Sequence, residues 1–393
     1  MTERTAAVLP AEEAEVRATW KLERTRGLGP VACKLLIDQF GSARAVFAAT
    51  DEDLLELDVS PALVAALRAR AAETADWQRM VSRIPAGTRL DALCGSHYPE
   101  LLRHISDPPP LLWSQGQAHR PHAPVVAIVG SRRCTSNGKR RAHRWAYELA
   151  SRGVVVLSGM AQGIDAAAHQ GALDAGGTTW AVMGTGIDRC YPPEHARMAE
   201  AIRAQGMLLS EWPLGAGPEA FRFPRRNRVI TGLSHAVIVV EADIKSGAVG
   251  TADKALSQGR EVFLVPGRPE DDASRGTNAA IAAGHGRLIT DLVAVWDFLD
   301  GIQVDNRNDP GWDGVREEVR LATRSLPRKR RAPVRTDSLK GRIGRILAEG
   351  PRHPSTLLRD LACSREELDV ALFDLELGGR VEMLAGHRVS WIP

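Results

Sequence analysis

The 393-residue chain has no long apolar run, and nothing in it approaches the ~20 consecutive apolar residues of a membrane helix. Such stretches as Ala236 to Val240 are the length of a buried strand. Met1 to Leu9 carries Glu3 and Arg4 and lacks the apolar centre of a secretory leader, so the expected address is the cytoplasm, with no membrane partner. Cysteine is scarce. Cys33, Cys94, Cys134, Cys190 and Cys363 form no CxxC pair and neighbour no histidine cluster, which argues against a disulfide framework and a zinc site. The nicotinamide-type GxGxxG is missing, as is the GxxxxGK[ST] of P-loop ATPases, so neither nucleotide cofactor is expected, and no metal.

What is present is a globular composition, 44% hydrophobic and 25% charged with mean hydropathy −0.19, long enough for two or three domains. The net charge of +3 is modest, but its distribution is not even. His119 to Tyr147 holds Arg120, Arg132, Arg133, Lys139, Arg140, Arg141 and Arg144 without an acid; Ala220 to Val240 holds Arg222, Arg225, Arg226 and Arg228. A third acid-free stretch, Val319 to Thr336, holds seven more cations. Two of these stretches flank glycine-rich turns, which favours a polyanionic partner over an ordinary solvated surface.

Residues 11–83 are alanine-rich with leucine at helical spacing and breaks at Gly27-Leu28-Gly29-Pro30, Phe40-Gly41-Ser42 and Val59-Ser60-Pro61, the pattern of a compact all-helical unit. The Gly27–Pro30 motif resembles the hairpin of helix-hairpin-helix and SAM-like modules; a plain packing turn fits it equally well. After a proline-rich connector, Asp107 to Leu112, residues 98–300 alternate short apolar strands with helices. Strands are expected at Val125–Val129, Val154–Leu157, Thr179–Met183, Met207–Leu209, Ala236–Val240, Glu261–Val265 and Leu288–Ile289, with helices such as Lys139–Ser151, Ala166–Ala175 and Thr251–Gln258. This alternation implies an α/β fold, an extended Rossmann-like parallel sheet binding ligands at its carboxyl edge. Residues 301–337 read as a basic linker, and 338–393 as three helices and a terminal hairpin, a winged helix.

Successive strands end in small residues: Gly130-Ser131-Arg132-Arg133, then Ser158-Gly159-Met160-Ala161-Gln162-Gly163, then Gly184-Thr185-Gly186. Such turns can present backbone amides to an anion, although any one of them can also be a tight connection only. Asp165, Asp188 and Glu211 are expected to organise the turns by accepting hydrogen bonds. The block Phe221 to Arg228, with Arg225, Arg226, Asn227 and Arg228, mixes cations and flat rings as a base-stacking, phosphate-neutralising site requires, or else forms an arginine–carboxylate network with Glu211 or Glu241.

These motifs, with Tyr191-Pro192, Ser210-Glu211-x-Pro213, Phe223-Pro224-x-Arg226-Asn227-Arg228, Ser246-Gly247, Pro266-Gly267 and Gly276-Thr277-Asn278, resemble the DprA/Smf family of bacterial transformation over nearly the whole chain. His195, Ala280 and His285 depart from its usual residues. The resemblance implies a non-enzymatic protein that binds single-stranded DNA through Gly130, Ser131, Arg132, Arg133, Ser158, Gly159, Gly163, Gly184, Gly186, Arg225, Arg226, Asn227, Arg228, Lys245, Ser246 and Gly247. It also implies a homodimer that loads the RecA recombinase. Two other classes remain for comparison. A phosphoribohydrolase of the lysine-decarboxylase-like group would need a glutamate where Lys254 follows Gly250-Thr251, and an ammonium cannot take that role. A duplex-reading regulator is disfavoured by Asp360, Glu366, Glu367, Asp369, Asp374 and Glu376 in the winged helix, which suits protein contact better.

Overall fold

The computed structural model describes residues 10–72, 75–116, 123–244, 246–308, 338–352, 354–361, 363–377, 380–384 and 388–392. Six helices come first: α1 (Pro10–Glu23), α2 (Pro30–Phe40), α3 (Ala43–Ala48), α4 (Asp51–Glu56), α5 (Pro61–Ala72) and α6 (Ala75–Val81). Local chemistry marks their ends. Pro30 and Pro61 open helices, where a missing amide proton leaves no bond unmade. Gly41 closes α2 at φ +85°, and the Ser42 hydroxyl accepts from Ala45 N (3.1 Å) to start α3. Thr50 and Asp53 exchange hydrogen bonds in a capping box.

The central region contains β1 (Thr88–Ala92), α7 (Glu100–Arg103), β2 (Leu111–Gly116), β3 (Val125–Val129), α8 (Ser136–Ser151), β4 (Val155–Ser158), α9 (Ile164–Asp174), β5 (Thr179–Val182) and α10 (Ala196–Gln205). It continues with β6 (Met207–Ser210), α11 (Arg222–Leu233), β7 (Ala236–Val239), α12 (Gly247–Ser257), β8 (Glu261–Leu264), α13 (Asp272–Ala282), β9 (Arg287–Leu288) and α14 (Val293–Asn308). One sheet runs in the order β1-β2-β6-β5-β4-β3-β7-β8-β9. From β6 to β9 all neighbours are parallel; β2 runs antiparallel to β6, and β1 to β2. The chain leaves β3 toward β4 on one side and returns to β7 on the other. That reversal opens a crevice at the carboxyl ends of the strands. Strands β3 to β7 are buried along their whole length, which is why they read as mostly apolar runs, richest in valine and isoleucine in β3 and β7.

The sheet starts at Thr88, ahead of the expected boundary at 98, and β2 begins inside the proline-rich connector. The polar residues of β2 hide it from pattern reading: Gln115 is buried, donates to Thr88 Oγ1 (2.8 Å) and accepts from Arg203 Nε (3.0 Å). The helical unit does not keep a core to itself. Leu22, Leu36, Leu54 and Leu67 belong to the same apolar cluster as Val125, Leu157 and Val182, while Val16, Trp20 and Trp77 pack with Leu90, Met160 and Leu208. On the other face α8, α9 and α14 cover Val126, Ile128, Val156 and Phe263.

The C-terminal domain has α15 (Leu339–Ala348), α16 (Pro354–Leu361), α17 (Arg365–Leu377), β10 (Val381–Leu384) and β11 (Arg388–Trp391), around Ile343, Leu347, Leu357, Leu368 and Val389. This is the expected winged helix. The basic stretch Val319 to Thr336 and the hairpin tip Ala385 to His387 lie outside the described residues.

Candidate nucleic-acid interface

The turns after β3, β4, β5 and β7 meet at the crevice. Gly163, at φ +83°, brings two of them together: a Cβ there would stand 2.3 Å from Ser131 O and 2.7 Å from Arg132 O. Ile164 N donates to Ser131 O (3.3 Å), and Ser131 N donates across to Glu241 O (2.7 Å). These glycines serve close approach. Gly130 faces Ile164, Gly159 faces the Arg226 guanidinium, Gly184 faces the Phe223 ring, and Gly186 faces Pro213 O, each at less than a Cβ contact distance.

Several amides that the sequence offers to an anion are already taken by the protein's own carboxylates. Asp165 Oδ2 accepts from Gly159 N (3.2 Å) and Ala161 N (3.3 Å). Burial pushes its pKa up, while Arg226 and these hydrogen bonds pull it down. Glu241 accepts from Thr135 N (2.8 Å) and Thr135 Oγ1 (2.6 Å), directly ahead of α8. Asp188 accepts from Gly215 N at 2.9 Å. The organising role expected of Asp165 and Asp188 is what the geometry shows; Glu241 holds a helix start instead of an arginine.

The arginines of α11 divide in the same way. Arg226 is 3% exposed; its Nη1 donates to Gly159 O (2.6 Å) and Val182 O, and its Nε to Asn227 Oδ1 (3.1 Å). Burial lowers its pKa to about 10, with Asp165 opposing that shift. Arg228 is also buried and pairs with Glu211 (2.5 Å) and Asp107 (3.2 Å). Burial works against its charge, but Glu211 and Asp107 more than offset it and raise the pKa. Asn227 Nδ2 donates to Thr251 Oγ1 (2.9 Å), and the buried Ser158 hydroxyl to Ile128 O (2.6 Å). Ser158, Arg226 and Arg228 are thus buried and bonded within the crevice walls, and the partly buried Asn227 is tied to Thr251. The helix itself lacks an apolar signature; Pro224 is tolerated because it falls in the first turn.

The open surface is the rim. Arg132 and Arg133 are exposed, and the Arg132 guanidinium lies 5.1 Å from the Phe223 ring centroid. Phe223 in turn meets Tyr191, 39% exposed, at 5.5 Å between centroids. Arg225 is partly exposed, 5.3 Å from the Trp212 ring and 3.6 Å from Glu211. Across the switch point Ser246 starts α12 by accepting from Ala248 N (3.2 Å), and the exposed Gly247 has open space where a Cβ would point. Lys245 lies outside the described residues. Phe223, one of the flat rings noted in the Phe221–Arg228 block, completes this rim together with Tyr191, which was not expected as a contact and precedes a cis proline. No group of three or more potential metal ligands occurs among the described residues.

The profile of the DNA recombination-mediator protein A family matches residues 92–300, the region that forms this sheet and crevice. The chain belongs to that family. A DprA winged helix domain profile matches residues 327–387 of this DprA-family chain. Protein Smf of Synechocystis is 35% identical over 74% of this chain and 77% of its own. Protein Smf of Escherichia coli is 44% identical over 48% of this chain and 50% of its own. The X-ray structure of DNA processing protein A from Streptococcus pneumoniae superposes with a TM-score of 0.61 at 31% identity, covering 74% of this chain and 98% of that one.

Proposed function

We propose that this DprA-family chain binds single-stranded DNA at the carboxyl edge of the sheet, without catalysing a reaction, and passes it to a recombinase of the RecA class. The carrying observation is the rim: an exposed cation, Arg132, laid against a ring that touches a second exposed ring. Unpaired bases have free π faces for such rings, and a duplex does not. The family's description as a recombination mediator supports the transfer step. The phosphoribohydrolase reading gains nothing, because Thr251 is tied to Asn227 and Gly247 O inside the fold. We place the protein in the cytoplasm; among the described residues no helix is long and apolar enough to cross a membrane.

A homodimer is part of this proposal. Strand β9 is an edge strand with both residues exposed, Leu288 by 53%, and Leu256 stands exposed at the end of α12. An apolar residue on an unpaired edge is a ready surface for a second copy. Fluorescence titration with single-stranded and duplex oligonucleotides tests the main reading. About four neutralised phosphates give a slope of log K against log salt near −3 on single strands. Equal affinity for duplex, or no salt response, overturns it.

A further inference from the structure

Helix α8 opens directly after the Arg132–Arg133 turn and carries Lys139, Arg140, Arg141 and Arg144 before its first acid, Glu148. A cation in the first turn of a helix, here Lys139, opposes the macrodipole, so helix stability does not call for it. Helix packing does not require it either. Ala142, Trp145, Ala146 and Leu149 face the sheet, whereas Asn137, Arg140, Arg144 and Tyr147 are exposed, Tyr147 by 47%. Spacings of three and four align these four residues in one outer stripe. It extends ~15 Å from Asn137 to Tyr147 at 1.5 Å per residue.

The stripe's charge is not consumed locally. Among the described residues Arg140 donates only to the amide oxygen of Asn137 (2.5 Å), and Arg144 makes no ion pair. Nearby acids are engaged elsewhere: Glu148 by Trp296 Nε1 (3.3 Å) and Arg152 (3.6 Å), Asp174 by His143 (2.7 Å) and Gln170 (2.7 Å). Two unneutralised guanidinium groups and an exposed ring, continuous with the rim, repeat its chemistry farther along the surface.

We propose that the outer stripe of α8, Arg140, Arg144 and Tyr147, is a second segment of the single-strand track. DNA leaving the crevice runs down this helix, the arginines taking phosphates and the tyrosine ring stacking on a base. The inference rests on the strand-end binding reading, and its test separates the two. Wild type, R140A/R144A/Y147A and R132A, all as full chains, are titrated with oligothymidines of about six and about twenty nucleotides, bracketing ordinary site sizes. The triple variant is expected to bind the short strand within about two-fold of wild type and the long strand at least about ten-fold more weakly, with the long-strand salt slope reduced by about 1.4 for two lost phosphates. R140K/R144K keeps the slope. Unchanged long-strand binding by the triple variant, or equal losses on both lengths, overturns the second segment. Loss of binding to phosphatidylglycerol vesicles with long-strand affinity intact also overturns it, and makes the stripe a membrane contact. R132A that binds both strands normally overturns the crevice reading instead, and the α8 result then stands alone.

Discussion

Arg132 and Arg226 lie on either side of the same crevice and have opposite surroundings. Arg132 is exposed and touches one ring; Arg226 is buried, hydrogen-bonded to the turns after β4 and β5, and balanced by Asp165. A desolvated guanidinium already hydrogen-bonded to two main-chain carbonyls and an amide oxygen cannot turn to a phosphate without leaving those groups unpaired. A solvated one can. Under the proposed function, the buried Arg226 and Arg228 of α11 hold the crevice in shape, while Arg132 and Arg133 after β3, with the partly exposed Arg225, offer the charge.

The largest effects should come from breaking the buried set. Arg228→Met takes the cation from between Glu211 and Asp107, leaving Glu211 only the more distant Arg225 (3.6 Å), and a broken buried pair costs about 3–5 kcal/mol. Calorimetry should show a marked fall in Tm, with DNA binding reduced only as far as the folded population falls. Arg226→Met should behave alike, since Gly159 O and Val182 O lose their donor and Asp165 loses the nearby positive charge. Normal stability with lost binding in either variant would dissolve the distinction drawn above.

Smaller effects should appear at the rim, and in binding rather than stability. Arg132→Ala should weaken single-strand affinity by about 1–3 kcal/mol, the range of hydrogen bonds to charged groups, with stability within about 0.5 kcal/mol of wild type. Phe223→Leu removes the flat face but keeps bulk beside Gly184. Its affinity should fall by about 1–3 kcal/mol if a base stacks there. A Phe223→Leu protein that loses affinity equally for duplex and single strand would count against stacking.

The smallest effect concerns Glu23, half-buried at the end of α1. Burial, then Glu211, push its pKa up from 4.5 to about 7, against Arg225 and Arg24. The folded state therefore holds this proton more tightly than the unfolded chain, and stability declines as pH rises between those two values. Glu23→Gln should raise Tm at pH near 8 and leave it nearly unchanged near pH 4. A higher Tm at the acidic end only would reverse the sign and exclude the carboxylate cluster as its cause.

How much of this is legible in the sequence depends on which force leaves a mark there. Buried parallel strands announce themselves as mostly apolar runs, and the expected strands from Val125 to Val265 fall within a residue or so of β3 to β8. The winged helix was equally plain, its three amphipathic segments giving one small core. Strand β2 was not, because Ser114 and Gln115 are polar yet buried through partners distant in sequence. The glycine turns were correctly located, but their use was not readable: whether Gly159 opens on solvent or on Arg226 depends on a helix 67 residues away. Charge pattern likewise identified the basic stretches without telling an exposed arginine from a buried one. Only tertiary packing separates Arg132 from Arg226.

That separation can be measured in one comparison of salt dependence and thermal stability. R132A/R133A should retain the wild-type Tm within the small range of surface changes, while its single-strand salt slope becomes shallower by about 1.4, two phosphates at about 0.7 each. An unchanged slope with unchanged Tm would show that the exposed cations after β3 do not meet the phosphates, and would contradict the account.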